Sequence, residues 1–163
     1  MNKKIAIFTT GGTIDKVYFD AKSEFEVGEP QIEEMLTVAN VTVEYQIIPV
    51  IRKDSLDMTD EDRALLKKGI TECDADEIIV THGTDTMIES ALSLGKIGNK
   101  TIVFTGSMQP ARLKNSDAAF NVAGAMFAVQ LLNPGVYIAM NGRVFDPAKS
   151  RKNRGQHRFE AKQ

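Results

Sequence analysis

Short apolar runs alternate with amphipathic stretches along most of the chain. Lys4–Phe8, Val41–Val50, Glu77–Thr81, Thr101–Thr105 and Gly135–Met140 are β-branched and apolar runs of strand length. Between them, Glu29–Val38, Thr59–Glu72, Thr86–Leu94 and Ser116–Leu132 carry apolar residues at helical spacing. Thr59 and Asp62 resemble a capping box with a shortened acid, and Ala64, Leu65, Leu66 and Ile70 supply the stripe behind it. Ser116–Leu132 is apolar on most faces, which predicts burial between layers. Asn141-Gly142 turns the last run into Arg143–Phe145, a hairpin signal. Alternation of this kind predicts an α/β fold, with an open, largely parallel sheet covered by helices on both faces and a C-terminal hairpin. Residues 1–163 read as a single domain.

Two stretches break the alternation. Asp15–Gly28 is polar and long for a connection between strand and helix, so it reads as a lid or binding loop. From Lys149 to Gln163, six cations face one acid, Glu160. That tail reads as a solvated, frayed terminus, with a nucleic-acid arm as the alternative.

Bulk properties narrow the function classes. The net charge is −2 and the sequence pI about 5.7, which argues against nucleic acid as a partner. A lone Cys73 cannot form an internal disulfide and suits a reducing compartment. The N-terminal apolar run, Ile5–Phe8, is shorter than the ~7–15 residues of a signal peptide, and no run reaches the ~18 of a membrane span. A cytoplasmic protein without membrane contact is expected.

Three strand ends carry unusual chemistry. Thr9-Thr10-Gly11-Gly12-Thr13 follows the first strand, Thr81-His82-Gly83-Thr84-Asp85-Thr86 follows "EIIV", and Thr105-Gly106-Ser107-Met108 follows "TIVF". In an open α/β sheet such ends line the ligand crevice. Two of them present Gly-Thr, where glycine admits close approach and threonine offers an N–H and a hydroxyl. Neither matches a phosphate-binding glycine motif. Asp85 reads either as a helix N-cap or as a carboxylate for a cationic amine. His82 reads first as a packed histidine, and Cys73 as core. No cluster has metal-ligand spacing, and no cofactor is expected.

"TTGGTIDK" followed by "THGTDTM" resembles the bacterial L-asparaginase family, the threonine amidohydrolases. "DSLDMTD", "TGSMQPARLKNSDAAFN" and "MNGRVFDPAKSRKN" extend the resemblance in order along most of the chain. It implies hydrolysis of L-asparagine to aspartate and ammonia. Thr13 takes the place of the nucleophile, and Thr84, Asp85 and Lys152 that of a second triad, with Lys149 as competitor for the lysine. Ser55 and Asp85 fall where the substrate's α-carboxylate and α-amine are held. Gly12, Gly83 and Ser107 line the pocket. "SEFEVG" places Phe25 at the lid tyrosine, so Tyr18 is expected to supply that hydroxyl. Leu56 stands where the family has a glutamine and is expected to narrow and dry the pocket. Family members have a second, C-terminal domain, and a neighbouring subunit completes each site. A homodimer or higher oligomer, with a more open pocket, is therefore expected here. A non-catalytic amino-acid-binding module and an ammonia-releasing amidotransferase-type subunit are the alternatives.

Overall fold

A computed structural model describes residues 4–163. The central sheet has six strands: β1 (Ile5–Gly11), β4 (Tyr45–Lys53), β5 (Glu77–Thr81), β6 (Thr101–Thr105), β7 (Gly135–Met140) and β8 (Arg143–Phe145). Their order is β4-β1-β5-β6-β7-β8. The first five are parallel, and β8 returns antiparallel to β7. The β7–β8 turn places Asn141 and Gly142 at φ 55° and 73°, the positive pair that a tight two-residue hairpin needs. Pro49 is tolerated in β4 because β4 is an edge strand.

Both sheet faces are buried. On one, Phe8, Ile78, Val80 and Phe104 pack with Leu66 and Ile70 of α2 (Asp60–Glu72) and Met87, Ala91 and Leu94 of α3 (Met87–Leu94). On the other, Ile5, Ile7, Ile79 and Val103 pack with Ile32 and Leu36 of α1 (Ile32–Val38) and Val122, Ala125 and Val129 of α4 (Ala118–Leu131). The capping box of α2 forms, with Asp62 N–H donating to Thr59 Oγ1 and Thr59 N–H to Asp62 Oδ2.

Three expectations are corrected. Asp15–Gly28 is not an irregular loop: β2 (Lys16–Phe19) and β3 (Glu24–Val27) pair in it as a hairpin. The charged tail is not frayed: β9 (Ser150–Asn153) pairs with β10 (Arg158–Ala161). Phe159 anchors it, 3% exposed and 6.5 Å from Phe145 between ring centroids. Helix α4 is not buried between layers, because Phe120, Phe127 and Leu131 lie on an uncovered face and are 66–81% exposed.

The order of the strands fixes the site. The chain steps from β1 outward to β4, then crosses back to β5 on the other side of β1. The winding direction reverses there, and the crevice opens between the carboxyl ends of β1 and β5. Thr13 follows one of those strands and Thr84 the other.

Candidate active site

Close backbone approach builds the crevice. Gly12 has φ 83°, and a Cβ on it would lie 2.4 Å from Gly83 Cα and N. A Cβ on Gly83 would in turn lie 2.6 Å from Ser55 Cβ and Oγ. Only glycine fits at either position, so the three loops stack in contact. Hydrogen bonds fasten the stack. Thr10 Oγ1 donates to Thr81 O at 2.8 Å, Gly12 N–H to Lys53 O at 2.9 Å and Thr86 Oγ1 to Ser55 O at 2.8 Å. Thr13 and Thr84 are each the residue after a contacting glycine, which brings the two hydroxyl-bearing turns side by side. Thr13 is half-buried and Thr84 is buried.

The β9–β10 hairpin delivers the cation. Lys152 Nζ donates to Thr84 Oγ1 and to Asp85 Oδ1, both at 2.8 Å. Phe159 is the cross-strand partner of Lys152, so the aromatic anchor of the tail also sets the lysine's register. Its backbone N–H is held at 2.8 Å by Asn141 Oδ1. Lys149 is exposed, and its N–H closes a turn on Asp146 O. The lysine at the threonine is thus Lys152. The Lys152 hydrogen bond holds the Asp85 carboxyl below the usual carboxylate range, against its partial burial, and Arg154 adds to the effect. Asp85 is not an N-cap: Thr86 occupies that position of α3, and Asp85 pairs with cations instead.

His82 is fully buried and acts within the loop rather than on a substrate. Nδ1 lies 2.7 Å from Gly83 O, which makes Nδ1 the protonated nitrogen. Nε2 then accepts from Ser90 Oγ at 2.8 Å, and Ser90 Oγ accepts from Arg63 Nε at 3.1 Å. Burial pushes the imidazole pKa down to about 4, so the ring is neutral. His82 is thus the packed histidine that the sequence suggests, whereas Asp15 escaped that reading. It is 2% exposed, and its Oδ1 accepts the Gln31 N–H at 2.9 Å. Its backbone N–H donates to Gly12 O and its carbonyl accepts from Gly28 N–H, tying the Thr13 turn to the β2–β3 hairpin. Burial raises its pKa to about 7. Nothing in the spacing of Asp15 marks this role.

The remaining expected residues divide. Ser55 is buried against Gly83, and Ser107 is buried at the end of β6, where its hydroxyl donates to Gln109 O. Leu56 is 69% exposed, so its side chain does not dry the pocket as expected. Tyr18 is half-exposed on β2 and meets Phe25 edge-on at 5.4 Å, a contact within its own hairpin. Among the described residues no group of His, Cys, Asp and Glu could hold a metal ion, and no helix is long and apolar enough to cross a membrane.

Comparison with known proteins agrees with this geometry. A family model described as asparaginase, N-terminal, matches residues 4–161. L-asparaginase 2 of Escherichia coli is 36% identical over 157 residues, covering 87% of this chain and 44% of the relative. A glutamyl-tRNA(Gln) amidotransferase component of Methanococcus vannielii is 28% identical over 157 residues, covering 88% of this chain and 35% of the relative. The thermostable L-asparaginase of Thermococcus kodakarensis has the same fold with a TM-score of 0.84 at 25% identity, over 97% of this chain and 51% of the other. The chain spans about half the length of the relatives it matches, or less.

Proposed function

Because the chain belongs to the asparaginase family through its N-terminal domain, we propose that it is an amidohydrolase that converts L-asparagine to L-aspartate and ammonia. The observation that carries this reading is the ammonium of Lys152 shared between Thr84 and Asp85, beside the turn that bears Thr13. In this reading Thr13 Oγ attacks the amide carbon, and the new C–O bond pushes electrons onto the carbonyl oxygen. Backbone N–H groups of the Gly-Thr turns receive that oxyanion. Collapse breaks the C–N bond, ammonia leaves with the proton taken from Thr13, and water cleaves the acyl-threonine ester.

Lys152 donates to the Thr84 oxygen, which leaves the Thr84 hydrogen free to be passed on. Thr13 is a weak nucleophile at neutral pH and needs an acceptor for its proton, which in this reading passes by relay to the leaving nitrogen. Tyr18 is the proposed proton relay from the hairpin. Ser55, Gly12, Gly83 and Ser107 form the walls of the substrate site. No cofactor takes part. The proposed setting is the cytoplasm, and the proposed assembly is a homo-oligomer, most simply a dimer. The uncovered Phe120, Phe127 and Leu131 face supports self-association, since monomers seldom expose such a patch. Light scattering on the active protein tests the assembly, and a clean monomer with full activity refutes it. A coupled ammonia assay with asparagine, glutamine or no amide tests the chemistry. Release from asparagine is expected, and its absence overturns the reading.

A further inference from the structure

We propose that Asn121 and Asn141 are positioning residues for Lys152: their side chains tie the hairpin that holds the lysine to the Gly106-Ser107 wall of the crevice. The inference rests on the amidohydrolase reading above and starts from the topology. Among the described residues, β9 and β10 form a sheet of their own, separate from the six-stranded one. No ladder of the central sheet therefore sets where Lys152 stands relative to the strand ends that bear Thr13 and Thr84. That distance has to be fixed in another way, because a misplacement of about 1 Å is enough to cost most of a group's catalytic effect.

Asn121 begins the bridge. It is buried on α4, and both ends of its carboxamide are used. Nδ2 donates to Gly106 O at 3.0 Å and to Asp117 Oδ2 at 2.9 Å, while Oδ1 accepts the Asn141 N–H at 3.1 Å. Asp117, just before α4, accepts the N–H groups of Met108 and Gln109, so the chain is gripped on both sides of Ser107. Asn141 continues the bridge. It stands at φ 55° in the β7–β8 turn, a region that asparagine tolerates. Its Oδ1 accepts the Phe159 N–H at 2.8 Å. That N–H points out of the β9–β10 ladder toward the central sheet. Phe159 is the cross-strand partner of Lys152, whose Nζ reaches Thr84 Oγ1. The path from the wall of the crevice to the lysine thus runs through Gly106, Asn121, Asn141 and Phe159, and each link is a hydrogen bond or a strand pair.

Two substitutions at Asn141 separate the bond from the turn. Glycine adopts positive φ freely but offers no acceptor, whereas aspartate keeps an acceptor and tolerates that region. Asn141→Gly should lower kcat on asparagine by about tenfold or more, the worth of one hydrogen bond, and change KM by less than about threefold. Asn141→Asp should restore most of the loss, and Asn121→Ala should fall at least as far as Asn141→Gly. In a Lys152→Met background, Asn141→Gly should cost nothing further, because the lysine that it places is gone. An unchanged kcat in Asn141→Gly, or an equal loss in the two backgrounds, overturns the inference. The Thr84 amide resonance supplies a readout that needs no turnover. Lys152→Met defines its shift when the contact is lost. Asn141→Gly should move it the same way, and Asn141→Asp should leave it in place. If the resonance moves so and the wild type releases no ammonia from asparagine, only the hydrolytic reading falls. If ammonia is released and Asn141→Gly leaves the resonance in place, only this inference falls.

Discussion

The ammonium of Lys152 sits 2.8 Å from the hydroxyl oxygen of Thr84, although the two residues are 68 apart in the sequence. The contact distinguishes between two nearby lysines. Lys152→Met should lower kcat by about 10²–10⁴-fold, the usual worth of a positioned proton-transfer group. Lys149→Met should change it little, because Lys149 faces solvent. Steady-state kinetics on the two variants checks this, and the opposite ranking would remove Lys152 from the chemistry.

The same contact depends on a residue that never meets a substrate. Phe159 is buried in the core and lies across the hairpin from Lys152. Phe159→Ala should destabilise by about 3–5 kcal/mol, as large-to-small core changes do. It should also reduce kcat below that of Phe159→Leu, because the hairpin that carries the lysine loses its anchor. Thermal melts read the first effect, and kcat at a temperature where both variants stay folded reads the second. Equal kcat for the two variants would show that the hairpin holds its place without the ring.

Asp15 makes stability depend on pH in an unusual direction. Its pKa rises from 3.8 in the unfolded chain to about 7 in the fold, mainly through burial. Between those values the folded state binds a proton that the unfolded state does not. The contribution is fully present below the lower value and is lost as pH rises through about 7. Asp15→Asn keeps an oxygen for the Gln31 N–H and cannot ionise. It should stabilise the fold at pH 8 by a few kcal/mol, at ~1.4 kcal/mol per pKa unit, and much less at pH 5. Melts of the two proteins across that range check the sign, and parallel curves would show that Asp15 ionises normally.

Much of this arrangement was legible before the fold was known. The apolar runs located the five parallel strands of the central sheet, the Asn141-Gly142 pair pointed to the sixth, and the glycine–threonine pairs marked the turns that touch. The hidden part depends on long-range packing. Phe159 is one apolar residue in a charged tail, and its partner Phe145 lies in a different sheet, where local pattern cannot place it. Asp15–Gly28 read as a loop because its strands pair only with each other and bury little, so no clean two-residue alternation survives. Leu56 looked like a pocket residue by its place in a motif, but Asp54 caps the tight turn there and turns it outward. Ser116–Leu132 is apolar nearly all round, and composition alone could not say which face remains uncovered.

Tyr18 offers the sharpest test of whether the hairpin takes part in the reaction. Tyr18 and Phe25 are cross-strand partners, and their rings meet edge-on at 5.4 Å. Tyr18→Phe keeps that ring contact and removes only the hydroxyl. If the hydroxyl relays a proton, kcat should fall by about 10²-fold or more while the melting temperature stays the same. Phe25→Leu does the reverse: it keeps the hydroxyl and weakens the aromatic pair, worth about 0.5–1.5 kcal/mol. That variant should loosen the hairpin and raise KM, with a smaller effect on kcat. Measuring kcat and KM separately for both tells a chemical role from a packing role. Equal losses of kcat would mean that the hairpin contributes only its shape, and the relay would then have to run through Thr84 and Lys152 alone.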